Sequence, residues 1–259
     1  MAVVTMLDAV SISKRFGGLV AIADVSLSVP VGRVTALIGP NGAGKTTLFN
    51  CLTGLVEPDQ GTVVLDGHDI TALTTHERCR RGVARTFQRL EVFSGMTVYE
   101  NLQVAAEAIH PQGTFRGVVR LRPRPEPDVD AVVEATLARL GLEAVAGRSA
   151  GDLPTGVLRL VELGRALCCE PRVLLLDELA SGLDESETQT VARLLVELAG
   201  AGLAILLIEH DVEMVMRVSD HVYVLDFGRV LAAGPPGEIA RDRAVREAYL
   251  GTAATGTGS

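Results

Sequence analysis

Residues 39–47 read GPNGAGKTT. It satisfies the pattern G-x-x-x-x-G-K-[ST], in which the backbone N–H groups of a glycine-rich loop surround the phosphates of a nucleotide. A strand-like run, VTALI, precedes it at 34–38. A helix is predicted after it, because three leucines follow at helical spacing: Leu48, Leu52 and Leu55. Strand, loop and helix in this order are the context that the motif requires, so we predict a triphosphate site.

The polar groups of this loop have distinct expected tasks. The N–H groups of residues 42–46 would surround the phosphates, Lys45 would reach the β- and γ-phosphates, and the hydroxyl of Thr46 would bind Mg²⁺. The predicted nucleotide-binding residues of the loop are Gly39, Pro40, Asn41, Gly42, Ala43, Gly44, Lys45, Thr46 and Thr47.

A second stretch, VLLLDE at 173–178, supplies acidic groups. Its apolar residues predict a buried strand, so Asp177 emerges at the carboxyl end of the sheet, where ligands bind in open α/β folds. Asp177 suits Mg²⁺ binding, direct or in the second shell, and Glu178 suits a general base or a group that positions the attacking water. Taken alone, an Asp-Glu pair after an apolar run is as compatible with a solvated strand end as with a catalytic role. The phosphate loop in the same chain favours the catalytic interpretation.

Composition argues against several classes of protein. The chain has 24 Lys and Arg against 32 Asp and Glu, a formal charge of −8, so we expect no nucleic-acid partner. The longest apolar run, 198–208, stops at Glu209, short of the roughly eighteen residues of a membrane span. The first residues lack the pattern of a secretory signal, which indicates a cytoplasmic protein. The cysteines lack zinc-ligand spacing and are interpreted as apolar fillers: Cys51, Cys79, Cys168 and Cys169.

Apolar patterning predicts further elements. Short alternating runs predict several strands over 7–36, and GTVVLDG at 61–67 predicts a strand and a turn. Three apolar runs predict strands buried on both faces, and the helical stretches between them indicate parallel crossovers: 173–176, 204–208 and 221–225.

The middle of the chain predicts a helix and a loop. The helix is expected over about 129–140, started by Asp128 or Asp130 and ended by Gly141. Repeated X-Pro pairs over 110–130 predict an exposed loop, with a basic partner-binding segment as the alternative.

Five elements together resemble the ATP-binding-cassette ATPases: GPNGAGKTT at 39, Gln88, VLLLDE at 173, SGLD at 181 and His210 in IEHD. Their order and approximate spacing carry the resemblance. It implies an α/β fold with a P-loop NTPase (RecA-like) core, an N-terminal antiparallel β subdomain and an inserted α-helical signature subdomain.

The resemblance also implies the domain limits. One ABC ATPase domain is expected at 7–250, with its core at about 7–88 and 166–250 and the helical subdomain at about 89–165. The residues after it, 251–259, have nothing to bury and predict a disordered tail.

Several site residues are implied by the resemblance alone. Phe16 stands where the family stacks an aromatic ring on adenine. Gln88 would link the metal site to the helical subdomain and to the membrane partner, and His210 would touch the γ-phosphate. Asp184 would belong to the loop that communicates across a dimer. The implied catalytic residues are Glu178, His210 and Gln88, the implied metal ligands are Thr46, Gln88 and Asp177, and the implied cofactors are ATP and Mg²⁺.

The signature loop departs from the family pattern. LPTGV stands at 153–157, where the family has LSGGQ or LSYGQ. Pro154 removes a hydroxyl and a backbone N–H that would contact the γ-phosphate, and Val157 removes a polar amide. Gly156 retains the glycine that permits close approach to the nucleotide. Leu179 stands where proline is usual, with a smaller expected effect.

This departure predicts an asymmetric dimer. In this family two chains close head-to-tail, with each ATP between one chain's phosphate loop and the other's signature loop, so the altered loop affects the partner's ATP. We predict a heterodimer with a second ABC ATPase, with one strong and one weak hydrolytic site. Two alternatives remain: a fully competent LPTG loop, and an ATP-binding regulatory subunit that hydrolyses weakly.

Within the family, the chain resembles the ATP-binding subunit of branched-chain amino-acid uptake systems. The resemblance lies in SKRFGGLVAIADVS, MTVYENL and the long stretch that begins IEHDVEMVMRVSD and ends in REAYLG. It implies transmembrane permease partners, an indirect link to a solute-binding protein, and a peripheral position on the cytoplasmic face of the plasma membrane. EAYLG and ENL also occur in ATPases of lipopolysaccharide export, which is the alternative transport function.

Overall fold

The computed structural model describes residues 4–86, 90–109 and 128–255, and of residues 250–255 only the backbone. These residues form two compact units. Those before 86 and after 171 form the core unit, and those from 86 to 171 form the helical unit. The sequence-based boundaries, near 88 and 165, lie close to these positions.

Ten strands are described, all in the core unit. They are β1 Thr5–Phe16, β2 Leu19–Pro30, β3 Val34–Ile38, β4 Gln60–Leu65, β5 His68–Asp69, β6 Val83–Arg85, β7 Val173–Asp177, β8 Ala204–Ile208, β9 His221–Asp226 and β10 Arg229–Gly234. A four-stranded antiparallel sheet has the order β2-β1-β4-β5. The larger sheet has the order β10-β9-β3-β8-β7-β6.

The larger sheet is parallel except for its edge strand β10, which pairs antiparallel with β9. Every residue of β3, β7 and β8 is buried, which explains why these strands read as unbroken apolar runs. The predicted parallel strands and the predicted antiparallel β subdomain are both confirmed.

Nine helices are described. They are α1 Lys45–Thr53, α2 Thr75–Arg80, α3 Val98–Ile109, α4 Val129–Leu140, α5 Thr155–Leu167, α6 Glu185–Gly200, α7 Val212–Val218, α8 Pro236–Ile239 and α9 Arg243–Thr255. Helices α3, α4 and α5 form the helical unit, with short 3₁₀ turns at Glu143–Val145 and Ala150–Asp152. Among the described residues, no helix combines the length and the apolar character that a membrane span needs.

Helix α4 has the limits that the sequence predicts. The side chain of Asp128 accepts a hydrogen bond from the N–H of Asp130, so Asp128 is the N-cap. Gly141 ends the helix at φ 66°, a left-handed conformation that glycine adopts at little cost. Because α4 begins at Val129, the last residues of the predicted loop at 110–130 are helical, while 110–127 lie outside the described residues.

Two expectations about helix ends are wrong. Helix α1 ends at Thr53 with Gly54 as its C-cap, so Leu55 lies beyond the helix and is exposed. The predicted tail at 251–259 begins too early, because α9 continues to Thr255. Adding residues to an existing helix needs no new nucleus, and Ala253 and Ala254 are good helix formers, which accounts for the extension.

Three strand ends meet at one edge of the large sheet. Leu37 of β3 pairs with Ile208 of β8, and Asp177 of β7 pairs with the same residue from the other side. The loops that follow β3, β7 and β8 therefore begin side by side. In open α/β sheets this carboxyl edge is where ligands bind.

Candidate nucleotide-binding and catalytic site

The phosphate loop after β3 requires glycine at two positions. Gly39 has φ 151°, and a Cβ there would lie 2.1 Å from the carbonyl oxygen of Leu225. Gly44 has φ 103°, and a Cβ there would lie 2.6 Å from the carbonyl oxygen of Ala21 and 2.7 Å from Cγ2 of Ile22. The loop is thus packed against β2 and β9, and a side chain at either glycine would displace it.

The N-terminus of α1 suits an anion. Gly44 is the N-cap, no side chain caps the helix, and the first turn carries no acidic residue. The first N–H groups of a helix have no partner within the helix, and the helix dipole adds partial positive charge there. Thr46 is exposed at this end. The arrangement has the donors and the polarity that bound phosphate groups need.

Lys45 is buried beside the loop, with 7% of its surface exposed. Its Nζ donates hydrogen bonds to the carbonyl oxygens of Gly39, at 2.6 Å, and Pro40, at 3.0 Å. Burial lowers the pKa of Lys45, and the nearby carboxylates of Glu178 and Asp177 raise it by less. The ammonium is therefore held in the loop among oxygen atoms and close to both carboxylates.

Asp177 ends β7 with 4% of its surface exposed. Burial raises the pKa of Asp177, and the charges of Arg85, His210 and Lys45 oppose this shift. Its Oδ2 lies 3.8 Å from Nη2 of Arg85, which is also nearly buried. A carboxylate at this sheet edge is the kind of group that binds Mg²⁺ beside phosphates.

Glu178 and His210 are in direct contact. Nε2 of His210 lies 2.6 Å from Oε1 of Glu178, and the N–H of Glu178 donates to the carbonyl oxygen of Ile208 at 2.9 Å. Glu178 has φ 53°, a left-handed conformation that costs a non-glycine residue free energy and recurs at functional sites. The structure thus brings together the two side chains that the sequence predicts to be catalytic.

Glu209 is a buried acidic residue that the sequence reasoning did not assign to the site. It has 4% of its surface exposed, and its Oε1 accepts a hydrogen bond from the N–H of Ala180 at 2.7 Å. The only signal in the sequence was its position at the end of an apolar strand, where a carboxylate cannot easily reach solvent.

Other predicted site residues lie elsewhere in the structure. Phe16 ends β1 with its ring about half exposed, and Nζ of Lys14 lies 5.7 Å from the ring centroid. Asp184 is the N-cap of α6, where its Oδ1 accepts from the N–H of Glu187 at 2.8 Å. Gly156 is buried in the first turn of α5, in the helical unit. Gln88 lies outside the described residues.

Among the described residues, no group of three or more His, Cys, Asp or Glu could hold a metal ion. In nucleotide sites Mg²⁺ is usually held by one or two protein oxygen atoms together with phosphate oxygens and water. The hydroxyl of Thr46 and the carboxylate of Asp177 are the hard oxygen ligands that Mg²⁺ prefers.

Comparison with known families matches this geometry. Residues 22–181, more than half of the chain, match the family described as ABC transporter. The chain belongs to the ABC transporter family. Membership assigns it nucleotide binding and ATPase activity, and the predicted family and fold are confirmed. Residues 229–255 match a second family, described as branched-chain amino acid ATP-binding cassette transporter.

Curated relatives of this ABC transporter protein extend over nearly its whole length. BraF, a high-affinity branched-chain amino acid transport ATP-binding protein of Pseudomonas aeruginosa, is 41% identical over 251 residues, covering 96% of this chain and 98% of its own. LivG of Salmonella typhimurium, with the same description, is 43% identical over 242 residues, covering 92% of this chain and 95% of its own. LptB of Acidithiobacillus ferridurans, a lipopolysaccharide export system ATP-binding protein, is 37% identical, with 95% of this chain and 97% of its own covered.

Solved structures of ABC transporter cassettes share the fold. A crystal structure of an ATP-binding cassette in its ADP conformation superimposes with a TM-score of 0.82 at 34% identity, covering 95% of this chain and 99% of its own. A nucleotide-free cassette gives a TM-score of 0.81 at 33% identity, with 95% and 98% covered.

Proposed function

We propose that this ATPase powers the import of branched-chain amino acids or a related small solute. The observation that carries the catalytic part is the cluster at the carboxyl edge of the large sheet. There the ammonium of Lys45 is held close to the carboxylates of Asp177 and Glu178, and Glu178 contacts His210. A buried cation, a metal-binding carboxylate and a paired base are the groups that hydrolysis of a triphosphate requires.

ATP and Mg²⁺ fit the residues of this site. The N–H groups at the start of α1 and the ammonium of Lys45 would hold the phosphates, and the half-exposed ring of Phe16 would stack on the adenine. Thr46 and Asp177 would bind Mg²⁺, with Gln88 as the further ligand that the family pattern implies. When bound, ATP with its metal ion supplies the γ-phosphoryl group that water attacks.

Glu178 and His210 would act on that water. The carboxylate of Glu178 orients the attacking water and accepts its proton, as a general base does. Nε2 of His210 lies 2.6 Å from Oε1 of Glu178, and this contact orients the carboxylate. Lys45 lies near enough to stabilise negative charge that develops on the phosphates.

The altered signature loop supports a heterodimer. Pro154 is the N-cap of α5 and offers no N–H, and no side chain caps that helix. In a head-to-tail pair this loop would serve the ATP bound by the partner, so that site would hydrolyse weakly. The site of Lys45, Asp177, Glu178 and His210 would be completed by a partner with an intact signature loop.

One observation favours the alternative of a competent LPTGV loop. The first turn of α5 carries no acidic residue, and its N–H groups have no side-chain cap, so the helix still offers donors to a phosphate. In that case the chain works as a homodimer. A weakly hydrolysing regulatory subunit is the third possibility, and it is favoured by Pro154 and opposed by the complete Glu178–His210 pair.

The solute and the partners follow from relatives of known transport role. The match of 229–255 to the branched-chain amino acid family and the similarity to BraF and LivG support amino-acid import. The protein would bind permease subunits at the cytoplasmic face of the plasma membrane, with a solute-binding protein as an indirect partner. The similarity to LptB favours lipopolysaccharide export as the second candidate.

Steady-state ATP hydrolysis tests the catalytic part. The purified chain is assayed alone and mixed with the ABC ATPase encoded beside it, with Glu178→Gln in each mixture as the control. We expect weak activity alone, a rise on mixing, and loss of the rise with Glu178→Gln. Full activity of the chain alone would establish a competent LPTGV loop, and tight ATP binding without hydrolysis in both mixtures would establish the regulator.

Solute uptake tests the transport part. In a strain that lacks this chain, we expect lower uptake of labelled leucine, isoleucine and valine, restored by the wild-type chain and not by Glu178→Gln. Unchanged uptake of these and related small solutes would reject the import proposal. Accumulation of lipopolysaccharide in the inner membrane of the same strain would establish the export alternative.

A further inference from the structure

A single buried carboxylate joins the two loops that carry the proposed catalytic side chains. We call residues 178–184 the Glu178 loop and residues 209–211 the His210 loop. Oε1 of Glu209 accepts a hydrogen bond from the N–H of Ala180 at 2.7 Å. Glu209 itself belongs to the His210 loop, where the neighbouring backbone N–H of His210 also lowers the pKa of this carboxylate. One side chain therefore ties the two loops together.

Two other contacts lie close to the bond between Glu209 and Ala180. The N–H of Glu178 donates to the carbonyl oxygen of Ile208, the last residue of β8, at 2.9 Å, which holds the start of the Glu178 loop. Nε2 of His210 contacts Oε1 of Glu178, but the His210 side chain is 52% exposed there. Solvent and ligand groups can compete for that contact. The carboxylate of Glu209 is itself buried, so solvent competes less for its hydrogen bond with Ala180.

Burial of the Glu209 carboxylate lowers the free energy of unfolding. Moving a carboxylate out of water costs free energy, and burial raises the pKa of Glu209, while the N–H groups of Ala180 and His210 act in the opposite direction. A buried charge is weak evidence for stability, because well-packed apolar groups often replace it without loss. Its presence at this position is better explained by the link that its hydrogen bond with Ala180 makes between the two loops.

We propose that Glu209 is a positioning residue for ATP hydrolysis. By joining the two loops, it keeps the side chains of Glu178 and His210 in their positions relative to each other. The inference rests on the proposed roles of Glu178 and His210. Catalytic groups must lie within fractions of an ångström of their productive positions, and a displacement of about 1 Å can lower the rate about 100-fold. Loosening the Glu178 loop would therefore reduce turnover without removing any group that binds ATP.

Glu209→Gln is the principal variant because it keeps the size of the side chain. It retains one oxygen acceptor and replaces the second carboxylate oxygen, and the negative charge, with an amide NH₂. We expect kcat for ATP hydrolysis to fall about 10- to 100-fold with KM for ATP within about threefold of wild type. Glu209→Asp keeps the charge on a shorter side chain and should retain more activity than Glu209→Ala.

Glu77→Gln is the matched control. The carboxylate of Glu77 also accepts a backbone N–H, from Thr74 at 2.9 Å, in the capping box at the start of α2. Gln serves equally well at this position of a capping box, so kcat should stay at the wild-type value. The midpoint of urea unfolding is measured for every variant.

Amide hydrogen exchange in the wild-type chain tests the contact without any substitution. We expect the amide of Ala180 to exchange slowly, and to exchange faster in Glu209→Gln because the neutral amide is the weaker acceptor. Exchange of the wild-type Ala180 amide at the rate of exposed loops would overturn the proposal, as would an unchanged kcat in Glu209→Gln. A fall of kcat together with the unfolding midpoint, in Gln and Asp variants alike, would show a structural role only and would also overturn it.

Failure of the proposed function gives a different result. If the wild-type chain hydrolyses no ATP, alone or with its partner ATPase, the roles of Glu178 and His210 fail while the slow amide exchange persists. If the wild-type chain hydrolyses ATP and Glu209→Gln does so at the same rate, the roles stand and only the positioning inference fails.

Discussion

The guanidinium of Arg85 lies 3.8 Å from the carboxylate of Asp177 and joins it to helix α1. Its Nη1 donates to Oδ1 of Asn50 at 3.0 Å and to Oγ1 of Thr53 at 3.3 Å, and its centre lies 5.2 Å from the ring of Phe49. Arg85 therefore ties the end of β7, which carries the proposed metal ligand, to the helix that follows the phosphate loop.

Replacing Arg85 tests this link. Arg85→Met removes the cation 3.8 Å from the buried carboxylate of Asp177 and the hydrogen bonds that Arg85 donates to α1, so we expect the free energy of unfolding to fall by about 3 kcal/mol. Urea unfolding measures the change. Arg33→Met is the control, because the pair of Arg33 with Asp220 is exposed and should contribute less than about 1 kcal/mol. Equal losses in the two variants would contradict the structural role of Arg85.

Asp177→Asn should change how stability depends on pH, and it should lower ATPase activity. The pKa of Asp177 is raised in the folded protein, chiefly by burial, so the ionised carboxylate opposes folding above that pKa. As the pH falls, the folded wild-type chain binds the proton first and the penalty disappears. The unfolding free energy of Asp177→Asn relative to that of wild type should therefore rise as the pH increases from about 4 to about 7.

The measurement is urea unfolding from pH 4 to pH 7 in EDTA without nucleotide, so that Mg²⁺ does not contribute. A difference that grows toward low pH would show the opposite sign of shift. Asp220→Asn, at an exposed carboxylate just before β9, serves as the control for general effects of net charge.

Arg78 should be among the most costly residues of the core unit to replace. It is 1% exposed, and its guanidinium donates to four backbone carbonyl oxygens. These belong to Cys51 at 2.7 Å, Leu52 at 2.8 Å, Thr71 at 2.7 Å and Leu73 at 3.0 Å. Two of them lie in the last turn of α1, where a cation also opposes the negative end of the helix dipole.

Arg78→Met removes all four donors and should lower the free energy of unfolding by about 3 kcal/mol or more. Arg78→Lys restores the charge but lacks the forked donor geometry, so it should recover only part of the loss. Arg243→Met, in an exposed pair with Glu247, should change stability by less than about 0.5 kcal/mol. Chemical unfolding of the three variants measures these changes. If the Arg78→Met chain is as stable as wild type, the four hydrogen bonds of Arg78 do not stabilise the fold.

The sequence was sufficient to predict the main elements of the site. The glycine-rich loop and the unbroken apolar strands are local patterns, and β3, β7 and β8 place their ends together wherever a parallel sheet forms. Lys45, Asp177 and Glu178 could therefore be assigned from motif and strand position. His210 needed the register of the whole family pattern, because nothing local distinguishes it from a surface histidine.

The supporting residues could not be predicted from the sequence. Three of them bind backbone or side-chain groups of other elements: Arg78, Arg85 and Glu209. Local sequence patterns do not predict such partners. The left-handed backbone of Glu178 is also imposed by tertiary contacts, since a glutamate has no intrinsic preference for it. Likewise, Gly44 is required by its approach to Ala21 and Ile22 of β2, which sequence spacing does not reveal.

The four thiols should differ widely in reactivity. Cys51 and Cys168 are buried, and burial raises the pKa of both thiols to about 11. Because the thiolate is the reactive form, only about a thousandth of each buried cysteine is reactive at pH 8. Cys79 and Cys169 are partly exposed and should react with a disulfide reagent first.

Peptide mapping after brief labelling at pH 8 measures the order of reaction, with the chain in guanidinium chloride as the control in which all four thiols react alike. Raising the pH toward 10 should speed the labelling of Cys51 and Cys168, since the thiolate fraction grows about tenfold for each unit of pH below the pKa. In the double variant Cys79→Ser and Cys169→Ser, the folded chain should label slowly at pH 8. Fast labelling of Cys168 in that variant would show that the start of the loop after α5 opens more readily than its burial implies.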